Sequence, residues 1–255
     1  MSRLALPMCA LLLIGCSSSG SGTPEPSAEL TVFAASSLTA AFTQLGKDFE
    51  ETHPGLRVSF TFAASTDLAE QITSGAAGAD VFASASSPPM DAVERGPGVT
   101  DRADFATNHL AIVTPPDNPA GVVSLDSLTT PMALVIGAEG TPIGDYTREM
   151  LDAQGLEHAV LTNVVANEPD DASIVADVES GEVDAGIVYS SDIPTTGGKL
   201  YAIEIPPHLN ITAVYPIAVV NGSARDADAK AFVGFVLSDH GQVVLDSRGF
   251  EPPAR

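Results

Sequence analysis

The chain has 255 residues, 44% of them hydrophobic, and its 11 Lys+Arg against 33 Asp+Glu leave a formal net charge of −22. Such a surface repels nucleic acid and anionic lipid headgroups and argues against both as partners. The acidic residues are spread along the chain rather than gathered in a tail, so the composition reads as a folded acidic body.

Arg3 is the only charge ahead of an apolar run from Leu4 to Ile14, which is too short to span a bilayer as a permanent helix. The run ends in Leu13-Ile14-Gly15-Cys16 and passes into a polar stretch, Ser17 to Gly22 and Thr23-Pro24-Glu25-Pro26. This order resembles a bacterial lipoprotein signal. Residues 1–15 would be removed, Cys16 would carry a lipid on its sulfur, and residues 16–28 would be a flexible tether. A chance cysteine after a chance apolar run is the plainer alternative, and the ordered succession of charge, apolar run, small residue, cysteine and linker argues against it. Cys9 lies in the removed segment, so Cys16 would be the sole cysteine and no internal disulfide could form. The remaining length suits one large α/β domain or two lobes.

Thr31-Val32-Phe33 is apolar and β-prone and runs through Ala34-Ala35-Ser36-Ser37 into Leu38, Ala41, Phe42, Leu45 and Phe49, which recur at helical spacing. Arg57 to Phe62 alternates as a strand and also runs into small polar residues, Ala63-Ala64-Ser65-Thr66-Asp67. A helix with Leu68 and Ile72 on one face follows, and Asp67 and Glu70 stand three apart like a capping pair. Asp80 to Ala83 is a strand, and Pro88-Pro89 starts another helix. Strand followed by helix, repeated, predicts parallel sheets with helices on their faces.

Leu110 to Thr114 is a strand that stops at Pro115-Pro116 and reads as the first crossover into a second lobe. There Ala133 to Ile136 is a strand, and Pro142-Ile143-Gly144 opens a helix through Tyr146, Met150 and Leu151. Asn163-Val164-Val165 is a short strand followed by polar Asn167 to Asp171, and a helix carrying Ile174, Val175 and Val178 ends at Gly181. Asp184 to Tyr189 and Leu200 to Ile205 are strands, and Tyr215 to Val220 is the return crossover. Helices over 227–237 and 241–246 close the chain. The division is then 29–109 with 215–255 as lobe one and 110–214 as lobe two.

In open parallel sheets, the loops after the carboxyl ends of strands form the binding crevice. Lobe one places Ser37 and Ser65 there, each at a helix start. Lobe two places Ile143 and Asp171 at helix starts and Tyr189 at a strand end. No Arg or Lys lies in any of these turns. An oxyanion would therefore be held by hydroxyls and backbone N–H groups at the positive ends of helices. Donors without acceptors suit a fully deprotonated tetrahedral dianion, because a protonated one brings a hydrogen that needs an acceptor. The acidic surface is no obstacle at short range, since its repulsion is screened beyond about 8–10 Å at physiological salt.

These turns resemble those of the periplasmic molybdate-binding proteins, the substrate-capturing components of molybdate ABC importers. The resemblance rests on Val32-Phe33-Ala34-Ala35-Ser36-Ser37-Leu38, Ser65 to Ile72, Gly78 to Ala85, Pro142-Ile143-Gly144-Asp145-Tyr146, Gly181 to Tyr189, and Gly249-Phe250, in the family's order. It implies a type II periplasmic-binding-protein fold with two α/β lobes closing on molybdate or tungstate. It also implies delivery to a membrane ABC permease, no cofactor, no catalysis and a monomer outside the cytoplasm. In that family the oxyanion is held by the hydroxyls and amides of two serines, two further backbone amides and a tyrosine hydroxyl. Those positions fall on Ser37, Ser65, Ile143, Asp171 and Tyr189, with Asp170 an alternative to Asp171. The chain departs from the pattern at Ser36, Ala64, Ile143 and Asp171, where the family has Ala, often Ser, a small residue and an apolar residue. A carboxylate at Asp171 would oppose a dianion unless it points away.

Taken singly, each residue has a plainer reading. Ser37 and Ser65 alone would be N-caps, Tyr189 a strand-end aromatic, and Asp170-Asp171 a solvated loop. A calcium site on that loop with Glu168 lacks spaced oxygen ligands, and His53, His109, His158, His208 and His240 show no metal spacing. A carrier for another tetrahedral oxyanion such as sulfate differs only in cleft size. A surface serine hydrolase is the reading from another class. It lacks a Gly-x-Ser-x-Gly elbow and a histidine near either serine in sequence.

Overall fold

The computed structural model describes residues 28–253. The signal segment, Cys16 and the tether up to residue 27 lie outside the described residues.

One nine-stranded sheet runs through the molecule in the order β2-β1-β3-β9-β4-β7-β5-β6, with β8 also on β4. In the first half, β1 (Ala28–Ala35) pairs in parallel with β2 (Leu56–Ala63) and β3 (Val81–Ala83). In the second half, β5 (Leu134–Gly137) pairs in parallel with β6 (Val164–Glu168) and β7 (Ala185–Tyr189). Two long antiparallel strands join the halves: β4 (Val99–Thr114) and β9 (Thr212–Val220). Up to His109, β4 pairs with β9; from Leu110 it pairs with β7, and from Ala111 also with β8 (Tyr201–Glu204).

Sequence pattern starts this strand only at Leu110, whereas it begins at Val99. Asp101, Arg102 and Asp104 read as loop, and register shifts at Thr100/Ala103 and Asp104/Ala106 break the alternation that marks a strand. Asp101 sits at φ 53°, the left-handed conformation of a bulge.

Helices cover both faces. Alternation along β1 sends Leu30, Val32 and Ala34 to one side, with α1 (Thr39–Thr52) and α7 (Asp226–Leu237) over them. Phe42 of α1 lies 5.7 Å from Phe105 of β4, and Phe49 lies 5.3 Å from Phe232 of α7, in tilted and edge-on contacts. Phe33 points the other way, into Leu68 and Ile72 of α2 (Ser65–Ser74) and Met90 and Val93 of α3 (Ser87–Arg95). The second half repeats the scheme with α4 (Pro142–Ala153) and α6 (Asp171–Ser180), whose Met150, Leu151, Ile174 and Val178 are buried with Val135 and Ile187. A short helix α5 (Glu157–Leu161) and a terminal α8 (Asp239–Asp246) complete the set. The parallel strands of each half direct their carboxyl ends toward the other half, so α1, α2, α4 and α6 all begin between them.

Candidate functional site

The entry to α1 is tighter than a simple strand-to-helix junction. Ser36–Leu38 form one 3-10 turn, and neither that turn nor α1 has a side-chain cap. The Ser37 hydroxyl lies 3.1 Å from that of Tyr215 on β9. The Asn108 amide donates to the Tyr215 oxygen at 3.4 Å and to Ser191 at 2.8 Å. The Tyr215 oxygen accepts from Asn108, and either hydroxyl of the Ser37–Tyr215 pair can be the donor to the other.

Ser65 is the first residue of α2, behind Ala64, and it too caps nothing. Its oxygen accepts the Ala85 N–H at 3.0 Å, which leaves the hydroxyl proton unspent. The capping reading of both serines is therefore corrected, as is the Asp67–Glu70 capping pair, since α2 has no side-chain cap.

On the facing half, Thr141 caps α4 by accepting from Gly144 at 3.3 Å, with Pro142 first in the helix and Ile143 second. The N–H groups of a first turn have no partner within the helix, so the start of α4 offers donors toward lobe one. The approach is close: a methyl at Gly144 would collide with the carbonyl oxygen of Ala138, and one at Gly137 would meet the Gly144 backbone at 2.5 Å.

Asp170 caps α6, its carboxylate accepting from Ser173 at 2.8 Å. Asp170 and Asp171 use their side chains differently. Asp170 spends its side chain on the cap, and Asp171 is the buried first residue of the helix, only 4% exposed. Its carboxylate turns onto Ser36 of lobe one, which donates to it at 2.5 Å. Tyr189, last in β7 and 1% exposed, holds a buried hydroxyl with no hydrogen-bond partner among the described residues.

Ser65, Ile143, Asp170, Asp171 and Tyr189 wall one small cavity between the halves, with Ser36 and Ala35 on the lobe-one side. Its volume is about 10 Å³, room for the centre of one water-sized sphere. Ser37 stands on the next wall along, in a vestibule of about 420 Å³ that shares Ser36 and Asp171 with the cavity. The structure thus gathers four of the five predicted residues on one cavity and sets Ser37 beside it. No histidine lines either space. The Ser-His pairing of a serine hydrolase is therefore not found in either space.

The electrostatics separate donors from acids. Burial pushes the Tyr189 and Tyr215 hydroxyls well above the ordinary phenol range, so both stay neutral donors. Burial also raises the Asp171 carboxyl to about 6, opposed by hydrogen bonds from Ser36, Asp192 and its own amide. Asp192, 6% exposed, is raised well above its ordinary value by burial and then by the charge of Asp171. Its carboxylate accepts from the Tyr189 N–H at 2.9 Å. Both carboxyls are thus held toward the neutral form, Asp192 also by the neighbouring Asp171 charge.

Sequence pattern does not single out Ser36, Asn108, Asp192 or Tyr215 as site residues. Ser36 is adjacent to a candidate, and Asp192 stands three residues past Tyr189 in Tyr-Ser-Ser-Asp, a turn-capping spacing. Asn108 and Tyr215 lie inside strands, and nothing in a strand pattern announces an inward polar side chain.

Fold and site define a two-lobed binding protein of the type II periplasmic class, with a closed, donor-walled cavity between the lobes. The sequence matches the profile of the bacterial extracellular solute-binding proteins over residues 30–251. It is 36% identical over 254 residues to the molybdate-binding protein ModA of Mycobacterium tuberculosis, covering 96% of this chain and 95% of that protein. The fold matches the periplasmic molybdate-binding protein of Azotobacter vinelandii with TM-score 0.76 at 20% identity, over 88% of this chain and all of that one. It matches the sulfate-binding protein SubI of M. tuberculosis equally, with TM-score 0.77 at 17% identity over 88% and 87% of the two chains. The chain belongs to the bacterial extracellular solute-binding protein family, whose members bind solutes outside the cytoplasm and are not enzymes.

Proposed function

We propose that this protein captures molybdate outside the cytoplasm and delivers it to a membrane ABC importer, with tungstate as a second ligand. The observation that carries the reading is the buried, unpartnered Tyr189 hydroxyl facing a cavity whose other walls are the Ser65 hydroxyl and the starts of α4 and α6. A buried donor without an acceptor costs roughly 1–3 kcal/mol, and an anion in the cavity removes that cost. No Lys or Arg lines the cavity, so neutral donors would carry the whole charge. Ser37, Ser65 and Tyr189 would donate through hydroxyls, and Ile143 and Asp171 through backbone amides.

Fold likeness is equal for molybdate-binding and sulfate-binding neighbours and does not choose between anions. The 36% identity to a molybdate-binding relative along almost the full length of both chains favours molybdate. The lobes are assigned to 29–109 with 215–255 and to 110–214, closing about β4 and β9. A lipid on Cys16 would hold a monomer at the membrane beside its permease.

Thermal shift with molybdate, tungstate, sulfate and phosphate tests the reading. Ligand that binds only the folded state raises the melting temperature, by about 2.7 kcal/mol of added stability at roughly a hundredfold excess over Kd. Molybdate and tungstate should shift the transition and phosphate should not. A shift with sulfate alone would transfer the site to the sulfate class.

A further inference from the structure

Two openings lie near the small cavity and differ in charge; the first shares Ser36 and Asp171 with it, and the second shares no lining residue but includes Thr66 and Ser86, the chain neighbours of Ser65 and Ala85. Between α1 and α6 lies the vestibule of about 420 Å³, lined among others by Lys47, Arg248, Thr43 and Thr195. Between α2, α3 and the start of α4 lies a second opening of about 330 Å³, whose charged residues are Glu70 and Asp145. In a chain of net charge −22 this contrast matters. Among the described residues, Arg102, Lys199, Arg225 and Lys230 are each within ion-pair distance of a carboxylate. No such pairing among the described residues involves Lys47, Arg57, Arg95, Arg148 or Arg248, and of these only Lys47 and Arg248 line either opening. Two cations outside ion-pair distance of a described carboxylate thus border one mouth of the candidate site, and none borders the other.

The same vestibule meets the inner cavity at a single partition. Ser36 and Asp171 line both spaces, and their 2.5 Å hydrogen bond joins lobe one to lobe two there. Asp171 and Asp192 also line the vestibule, and burial holds both toward the neutral form.

Building on the proposed oxyanion capture, we propose that the α1–α6 mouth is the route by which the anion enters and leaves, with Lys47 and Arg248 as its steering charges and the Ser36–Asp171 bond as its gate. A dianion approaching this acidic body meets repulsion everywhere beyond contact except where local cations invert the potential. Steering of this kind raises association rates and weakens as salt shortens the Debye length. The neutral donors inside then decide what stays. The division of labour puts charge on the route and keeps it out of the cavity, where a fixed cation would favour any anion.

The test is stopped-flow association and dissociation of molybdate with the full protein, at low salt and at physiological salt. Lys47→Gln with Arg248→Gln should slow association about 3- to 10-fold at low salt, flatten its salt dependence and leave dissociation unchanged. Glu70→Gln, at the other mouth, should leave association unchanged. Ser36→Ala should raise both rates, since the partition then opens without breaking a hydrogen bond. An association rate indifferent to both cations, or one accelerated by Glu70→Gln alone, overturns the route. Unchanged rates in Ser36→Ala overturn the gate. Failure of the wild-type protein to bind any of the four anions in the thermal-shift panel overturns the parent reading and the route with it, so the two failures are distinct.

Discussion

The two walls of the cavity accomplish the same task by different means. On lobe one the donors are side-chain hydroxyls tied to other strands and turns: Ser65 accepts from Ala85, and Ser37 shares a hydrogen bond with Tyr215, which accepts from Asn108. On lobe two the donors are the Tyr189 hydroxyl and two helix starts, the latter set in place by caps at Thr141 and Asp170 and by glycines that let α4 approach the end of β5. Lobe one therefore relies on side-chain hydroxyls alone, and lobe two on backbone position together with one hydroxyl. A further difference is that lobe two brings an acid, Asp171, to a place where an anion would sit, and turns its charge onto Ser36 and Asp192.

That contrast predicts different failures. The largest effect should come from Gly144→Ala, where the added methyl runs into backbone rather than a movable side chain. Overpacking of this kind costs about 3 kcal/mol, so both stability and affinity should fall, read by chemical denaturation and by titration calorimetry. If Gly144→Ala is as stable as the parent, the start of α4 is not held by close packing.

Next are the hydroxyl deletions, which separate binding from folding. Tyr189→Phe removes a donor to a charged acceptor and should weaken molybdate binding by roughly 1.5–3 kcal/mol. Its ligand-free stability should hold or rise, because the deleted hydroxyl has no partner among the described residues. Ser65→Ala should weaken binding by a similar amount but also lower ligand-free stability, since the Ala85 N–H loses its acceptor. Equal stability changes in the two variants would erase the distinction between a spare donor and an engaged one.

The smallest effect concerns Asp171. Its folded-state value of about 6 stands above the ordinary 3.8, so between those values the native state holds a proton that the unfolded chain has released. Stability is then highest below the lower value and falls as pH rises toward the upper one. Asp171→Asn should abolish that fall, seen as a flatter melting temperature between about pH 4 and about pH 7 without ligand. It should also tighten molybdate binding severalfold at neutral pH by removing a carboxylate from the cavity wall. A parent-like pH profile in this variant would show that Asp171 is not the group responsible.

Much of this fold is legible as pattern. Val32 and Phe33, then Leu38, Ala41, Phe42, Leu45 and Phe49, carry period two into a helical period, and both are realised. Pro142 at the start of α4 and Gly181 at the end of α6, at φ 77°, act through local backbone preferences that hold in any context. The first half of β4 is not legible, because its bulges scramble the alternation and its partner β9 lies far along the chain. The roles of the two serines are hidden for a related reason. A cap is a local bond, whereas the partners that displace it, Tyr215 for Ser37 and Ala85 for Ser65, come from other strands and turns.

By itself, the sequence determined which segments alternate, which recur at helical spacing, where helices begin, and that no cation stands in the turns facing the cleft. Only the tertiary structure decided that Ser37 meets Tyr215, where the Asp171 carboxylate goes, and that Lys47 and Arg248 meet at one mouth. The first set follows from interactions among near neighbours in the chain. The second depends on hydrogen-bond direction, burial and charge between residues that only folding brings together.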